Sequence, residues 1–332
     1  MIIHNFPILF QDCYDIITIG ESMKSKIFKN LDQQIEILES RGLIISDVEK
    51  AKDILFRENY FFVSGYRHIF MNPEKDDAFI PGTTFDELYG MFVFDRHIRN
   101  LIFKNLLIVE NNIKSIISYQ MSRKYGFKER DYLNPKNFTQ DTMKLRQVKD
   151  ITSKMRRQIR VNGSHHSATM HYLSNYGYIP MWILVKVLSF GLVSELYTIL
   201  KYEDQLEIAQ VYGLDVETLS IYLSILANFR NICAHEDILY DYKSQKKIPD
   251  TRYHALLNIP MVEDEYKRGK NDLFAIMIML KKMLTVEEFE LFAYEMGYEI
   301  DLLDGKVQIV PLSKILHAIG FPTNWREIVE LK

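Results

Sequence analysis

Cysteine is almost missing from this chain. Two residues in 332, Cys13 and Cys233, cannot build a disulfide framework or a four-thiolate zinc site, and such sparing use fits a reducing cytoplasm. Glycine and proline are scarce as well, at 14 and 9 residues, which excludes collagen-like repeats and linker-rich arrays. A hydrophobic content of 47% excludes disorder. Neither sign of charge dominates: 41 Lys and Arg stand against 44 Asp and Glu, for a net charge of −3. No global positive field draws the chain onto nucleic acid, so any RNA or DNA contact must come from a local patch. Long apolar runs are also missing. The longest, around Met181 to Val193, is broken by Lys186 and falls short of the roughly 18 residues that span a bilayer. The amino-terminal stretch carries no basic leader and is interrupted by Pro7, Asp12 and Asp15, so no signal peptide is expected. The expectation is a soluble protein of the cytoplasm with no membrane partner.

The common catalytic motifs are absent too: no glycine-rich phosphate loop, no G-x-S-x-G elbow, no H-E-x-x-H and no calcium loop. His165, His166 and His171 lie close together without a Cys or carboxylate at ligand spacing, and are read as surface or loop histidines. Glu263, Asp264 and Glu265 are read as a solvated helix face, because three adjacent carboxylates on a helix do not converge on one point. Neither a metal nor a cofactor is expected.

What the chain has in quantity is apolar spacing of three and four, with little period-two alternation, which predicts an all-α fold. From Phe85 the positions Leu88, Tyr89, Phe92, Ile98, Ile102, Leu106, Val109, Ile113, Ile116 and Ile117 keep one face apolar, giving a helix to about Tyr125. Gly82-Thr83-Thr84 starts it and Gly126 stops it. A second long helical region follows Pro180, where Gly191 either costs about 1 kcal/mol or marks a close helix approach. A third begins at Asp215 as N-cap and runs through Leu219, Leu223 and Leu226 into Arg230-Asn231-Ile232-Cys233-Ala234-His235. Between the first two, residues 134–178 predict a helix followed by an irregular loop, with Asn162-Gly163-Ser164 in its middle. Three regions are expected: an N-terminal helical unit over 1–80 with a polar exit at 72–77, a helical core over 81–245 with a basic insert at about 134–178, and a C-terminal helical region over 246–332. A short strand or two is expected between Val307 and Pro322.

The arrangement Arg230-x4-His235 carries the most specific chemistry. Cleaving RNA by attack of the neighbouring 2′-OH, without a metal, needs a group that moves protons near neutral pH and a cation that stabilises the pentacoordinate phosphate. Histidine suits the first task and the arginine fork the second. Five residues at about 100° each put the two side chains about 140° apart, so one helix does not easily aim both at one phosphate. Two copies across a two-fold axis can, by pooling two Arg and two His in one cleft. Asn231 and His235 are four apart and share a face, which lets Asn231 support the imidazole. Arg230 extends the Leu219, Leu223, Leu226 stripe, a poor place for an arginine without an anionic partner or an interface.

The bare spacing is not specific. With 15 Arg and 9 His in 332 residues, chance gives 15 × 9/332, roughly 0.4 occurrences, and Arg160-x4-His165 is indeed a second one, placed by Asn162-Gly163 in a loop. A separate feature is the run Lys144, Arg146, Lys149, Lys154, Arg156, Arg157 and Arg160. Set against Asp150 alone, it has a local charge of 7 − 1 = +6, the densest positive stretch in the chain and the expected RNA-binding surface.

The segment Asn228-Phe229-Arg230-Asn231-Ile232-Cys233-Ala234-His235-Glu236-Asp237-Ile238-Leu239-Tyr240 resembles the signature of the Abi-like abortive-infection proteins (the AbiD/AbiF group), of the HEPN ribonuclease superfamily. The likeness runs from about residue 30 to 330. Asp32-Gln33-Gln34-Ile35, Arg41-Gly42-Leu43 and Asn59-Tyr60-Phe61-Phe62-Val63-Ser64-Gly65-Tyr66 are similar to the family's N-terminal pattern. Pro81-Gly82-Thr83-Thr84-Phe85 and Phe94-Asp95-Arg96-His97-Ile98-Arg99 are similar to its central one. His171-Tyr172, Pro180-Met181-Trp182, Leu188-Ser189-Phe190-Gly191 and Ser194-Glu195-Leu196-Tyr197 follow in order, and Gly320-Phe321-Pro322 with Trp325 resembles the tail. Two departures stand out: Lys186 where relatives often carry an acidic residue, and Asp241 where many carry Asn.

The resemblance implies a HEPN-type helical bundle, a homodimer, and metal-independent endoribonuclease activity in phage defence. Arg230 and His235 would be catalytic and Asn231 supporting. It also implies RNA as substrate or as a small non-coding partner. Two alternatives stay open: a helical protein that holds a small structured RNA without cutting it, and an interaction scaffold.

Overall fold

The computed structural model describes residues 27–163 and 165–331. Cys13, the amino-terminal stretch with Pro7, Asp12 and Asp15, and Ser164 lie outside the described residues. The fold is all-α: 66% helical, with 15 α-helices and one two-stranded sheet among the described residues. Among the described residues no helix is long and apolar enough to cross a membrane.

The helices α1 (Leu31–Ser40) and α2 (Val48–Glu58) pack on each other, and α3 (Tyr60–Ser64) leads into a 3-10 turn over Gly65–Phe70. The long helix α4 (Phe85–Tyr125) follows. Then come α5 (Glu129–Tyr132), α6 (Leu145–Asn162), α7 (Ser167–Tyr176), α8 (Met181–Val187), α9 (Phe190–Ile199), α10 (Tyr202–Gln210) and α11 (Val216–Ala234). The remainder is α12 (Arg252–Leu256), the hairpin β1 (Met261–Val262) and β2 (Glu265–Tyr266), then α13 (Leu273–Met283), α14 (Val286–Asp304), α15 (Leu312–Ala318) and a 3-10 turn over Trp325–Val329.

Helix α4 organises the molecule. Its 41 residues extend about 60 Å, and α3, α8, α10, α11, α13 and α14 all pack along it. Thr84 accepts the Glu87 backbone N–H while the Glu87 carboxylate reaches back to the Thr84 N–H, closing a capping box, and Gly126 ends the helix at φ +94°. Most of the apolar positions expected from spacing are buried, with Leu88, Ile98, Leu106, Val109, Ile113 and Ile117 at 0% exposure, while Tyr89 and Ile116 are half-buried. Helix α11 also starts as its sequence predicts, with Asp215 accepting the Thr218 N–H at 2.8 Å. Among the described residues the buried apolar side chains form one contiguous core, with Ala78 alone outside it.

Four local expectations are corrected and one open alternative, at Gly191, is decided. The helical region after Pro180 is two helices, because Leu188 turns extended and Ser189 caps α9 by accepting the Leu192 N–H. Gly191 lies in the first turn of α9 with nothing within 4 Å of an added Cβ, so it marks no close approach. The stretch after Gly163 forms α7 rather than an irregular loop, and residues 312–318 form α15 rather than a strand. The sheet lies at 261–266 instead. There Glu263 and Asp264, at φ 51° and 61°, make the hairpin turn, so these carboxylates are on a turn and not a helix.

Candidate functional site

Helix α11 brings the Arg230-x4-His235 element to the surface of the α4 bundle. Leu219, Leu223, Leu226 and Phe229 are fully buried, so the helix is anchored by its apolar stripe up to the arginine. His235 is the C-cap and its N–H bonds to the Asn231 carbonyl at 3.0 Å. Glu236 then takes the left-handed conformation at φ 59°, and the Asp237 N–H returns to the Ile232 carbonyl at 3.2 Å, closing a Schellman-type cap. Asn231, His235 and Glu236 are exposed. Between Asn231 and His235 the described hydrogen bond is the main-chain one; no side-chain bond links them.

Arg230 has the anionic partner that its place on the stripe demands. Its Nε donates to Glu110 Oε2 of α4 at 3.2 Å, and the other Glu110 oxygen accepts from Lys114 at 2.6 Å. Glu110 and Lys114 are both buried, while the Arg230 side chain stays 28% exposed. The guanidinium also lies 5.9 Å from the Phe103 ring centroid. Among the described residues neither Nη group of Arg230 has a hydrogen-bond partner. The cation is thus aimed by its inner nitrogen and keeps its outer pair for another acceptor.

A second set of α4 side chains holds the chain beyond His235. Asp95 Oδ2 accepts from the Tyr66 hydroxyl at 2.7 Å, from Arg99 Nη1 at 2.7 Å and from the Leu239 backbone N–H at 3.2 Å. The same Arg99 nitrogen donates to the Asp237 carbonyl at 3.0 Å. Tyr66, Asp95 and Arg99 are buried, and burial pushes the Asp95 carboxyl up to about 6, against the opposing pull of the Tyr66 hydroxyl and Arg99. Gly65 faces the same segment, for a Cβ there would lie 2.6 Å from Ile238 Cδ1. Nearby, Arg96 pairs with Glu58 and lies over the Phe92 ring. Three separate sequence blocks, at 58–66, 95–99 and 237–239, therefore meet beside the histidine.

Cys233 is no nucleophile here: burial pushes its thiol up to about 12. His165 and His171 are exposed, and among the described residues no three His, Cys, Asp or Glu side chains group in a way that could hold a metal ion. Arg160 and His165 of the second R-x4-H are separated by the end of α6 at Asn162. Lys186 and Asp241 are exposed.

The basic run forms most of α6. Val148, Ile151, Thr152 and Met155 are its buried face, and helical arithmetic puts Arg146, Lys149, Arg156, Arg157 and Arg160 in an arc of about 100° opposite it. The other two members are committed elsewhere. Lys154 pairs with Asp150 and Glu195, each at 3.0 Å, and Lys144 donates to the Thr198 carbonyl. The run thus supplies five outward cations rather than seven, of which Arg156 also gives one guanidinium N–H to the Leu133 carbonyl at 3.2 Å and keeps its other donors outward.

Glu110, Lys114 and the Tyr66–Asp95–Arg99 clamp carry no motif that residue chemistry alone picks out. The one available signal was a Glu and a Lys at i and i+4 inside the α4 apolar face. No curated protein and no solved structure matches this chain. The family model described as Abi-like protein matches residues 53–241, more than half of the chain and the stretch holding Tyr66, Asp95, Arg99, Glu110, Arg230 and His235, so the chain belongs to the Abi-like family.

Proposed function

We propose that this Abi-like protein is a metal-independent endoribonuclease of abortive-infection phage defence, acting on RNA as a homodimer of HEPN type. The observation that carries the reading is the posture of Arg230: Nε is fixed to the buried Glu110, while both Nη groups lack a partner among the described residues and His235 stands exposed at the capped end of the same helix. In the reaction, a His235 imidazole takes the proton of the 2′-OH as its oxygen attacks the adjacent phosphorus. The phosphorus to 5′-oxygen bond then breaks, a second His235 protonates the leaving oxygen, and a 2′,3′-cyclic phosphate is left. Arg230 stabilises the charge that builds on the non-bridging oxygens. The roughly 140° between the two side chains favours pooling them across a two-fold axis. Asn231, exposed beside His235, is a supporting group.

The basic stripe of α6 favours a second reading, a protein that holds a small RNA without cutting it. One experiment separates the two. Wild type and His235→Ala are incubated with mixed RNA in EDTA, and the products are end-mapped. Cleavage by wild type alone, leaving 2′,3′-cyclic phosphate ends, supports the nuclease. Equal RNA retention with no cleavage by either protein favours the holding role.

A further inference from the structure

One surface of the molecule is aromatic where a solvated face would be charged. Helix α7, Ser167–Tyr176, contains no Asp, Glu, Lys or Arg, and Thr169 is its buried residue. Its rings continue onto neighbouring elements. Tyr172 and Tyr176 have centroids 5.3 Å apart, Tyr176 and Tyr178 6.4 Å, Tyr178 and Phe127 5.7 Å, and Phe127 and Trp182 5.8 Å. Tyr176, Phe127 and Trp182 are 58%, 40% and 43% exposed, so the row is open to solvent. Lys128 Nζ sits 5.1 Å from the Tyr178 ring centroid.

Cations continue the row. The short helix α5 joins it to a cleft of about 510 Å³ lined by Arg130, Arg156 and Arg160 with Leu133, Pro135 and Ile159; Arg130 Nε lies 3.5 Å from Asp131 Oδ1 and Arg156 donates one N–H to the Leu133 carbonyl, which leaves their other guanidinium donors to the cleft. Glu129, the acidic group of that cleft, is occupied in accepting the Ile179 backbone N–H, next to Tyr178. Arg156 and Arg160 are also members of the outward stripe of α6. An exposed ring row ending in an arginine cleft matches what an unpaired nucleic-acid strand presents, π-faces on one side and phosphates on the other.

We infer that the α7–α5–α6 surface binds single-stranded RNA, stacking bases on Tyr172, Tyr176, Phe127 and Trp182 and seating phosphate in the Arg130–Arg156–Arg160 cleft. This rests on the RNA-directed reading above and adds the strand class and the element that selects it. A duplex keeps its bases paired and offers no faces to the row.

The test uses full-length His235→Ala protein, so that probes survive, with three probes: single-stranded oligo(U), a same-length oligomer of abasic riboses, and an RNA duplex. Trp182 and the buried Trp325 are the two tryptophans, so quenching of intrinsic fluorescence reports on the row directly. Oligo(U) is expected to quench the emission and to bind at least tenfold tighter than the other two probes. Tyr176→Ala, at an exposed site, should weaken oligo(U) roughly tenfold and leave abasic binding unchanged. Trp182→Phe should remove the quenching but keep the binding. Equal affinity for oligo(U) and the abasic or duplex probe, without quenching, overturns the stacking row and leaves the RNA reading standing. Failure of all three probes to bind overturns both. Cleavage by wild type is scored separately and decides the nuclease alone.

Discussion

Asp95, on the long helix, accepts the backbone N–H of Leu239, four residues beyond His235. Through that bond, and through Arg99 to the Asp237 carbonyl, one buried carboxylate sets the path of the chain leaving the R-x4-H helix. The catalytic histidine of the proposed reaction therefore stands on a main chain fixed from both sides. Its own N–H, bonded to the Asn231 carbonyl, ties it to the helix before it, and the Schellman-type return of Asp237 with the Tyr66–Asp95–Arg99 clamp holds the chain after it.

Removing the clamp's hydroxyl tests this directly. Tyr66→Phe deletes a buried hydrogen bond to a charged acceptor and should cost about 1.5–3 kcal/mol in denaturant unfolding. RNA cleavage should fall in rate with little change in RNA affinity, because the clamp positions His235 without touching RNA.

Arg230 and Glu110 should separate function from stability. Arg230→Ala leaves Glu110 paired with Lys114, so the protein should fold while cleavage drops by roughly 10²-fold or more. Glu110→Gln leaves the buried Lys114 without its counter-charge and should cost about 3–5 kcal/mol. Thermal melts of both variants alongside the cleavage assay give the comparison.

Gly320 is irreplaceable on two counts. Its φ of +85° disfavours any side chain, and a Cβ there would sit 2.2 Å from Cγ of Asp272, the buried cap of α13. Gly320→Ala should lose about 3 kcal/mol or more. An urea midpoint equal to wild type would refute that packing.

Stability should decline as pH rises from about 4 to about 6. Burial raises the Asp95 and Asp272 carboxyls from the ordinary aspartate value to about 6, so across that window the folded state holds protons the unfolded chain has released. Above about 6 these two groups add no further slope. Arg96 holds the Glu58 carboxyl low and Thr218 holds Asp215 low, so the stability those two supply is lost only as pH falls below about 4. Asp272→Asn should flatten part of the decline in midpoints measured between pH 4 and 7.

RNA affinity should be steeply salt-dependent. If the five outward cations of α6 each neutralise a phosphate, the slope of log K against log salt for a single strand is roughly −3.5. Arg157→Ala should reduce it by about 0.7, whereas Lys154→Ala, already paired with two carboxylates, should leave it nearly unchanged.

Local patterning alone settled the helix Phe85–Tyr125 with its Thr84 and Gly126 ends, the Asp215 start of α11, and the anomaly of an arginine on an apolar stripe. Such features are written in contiguous residues, because caps and apolar periodicity act over one to a few turns. It misplaced the strand and missed α7, where short weakly patterned segments take their conformation from what they pack against. Only the tertiary structure decided that Glu110 answers Arg230 across 120 residues and that Asp95 answers Leu239 across 144. It also decided that Lys154 is spent on Glu195 while Arg156 and Arg160 join Arg130 in one cleft. Pairings of that span depend on how α11, α6 and α4 pack, and the charge of a side chain carries no record of which distant partner will neutralise it.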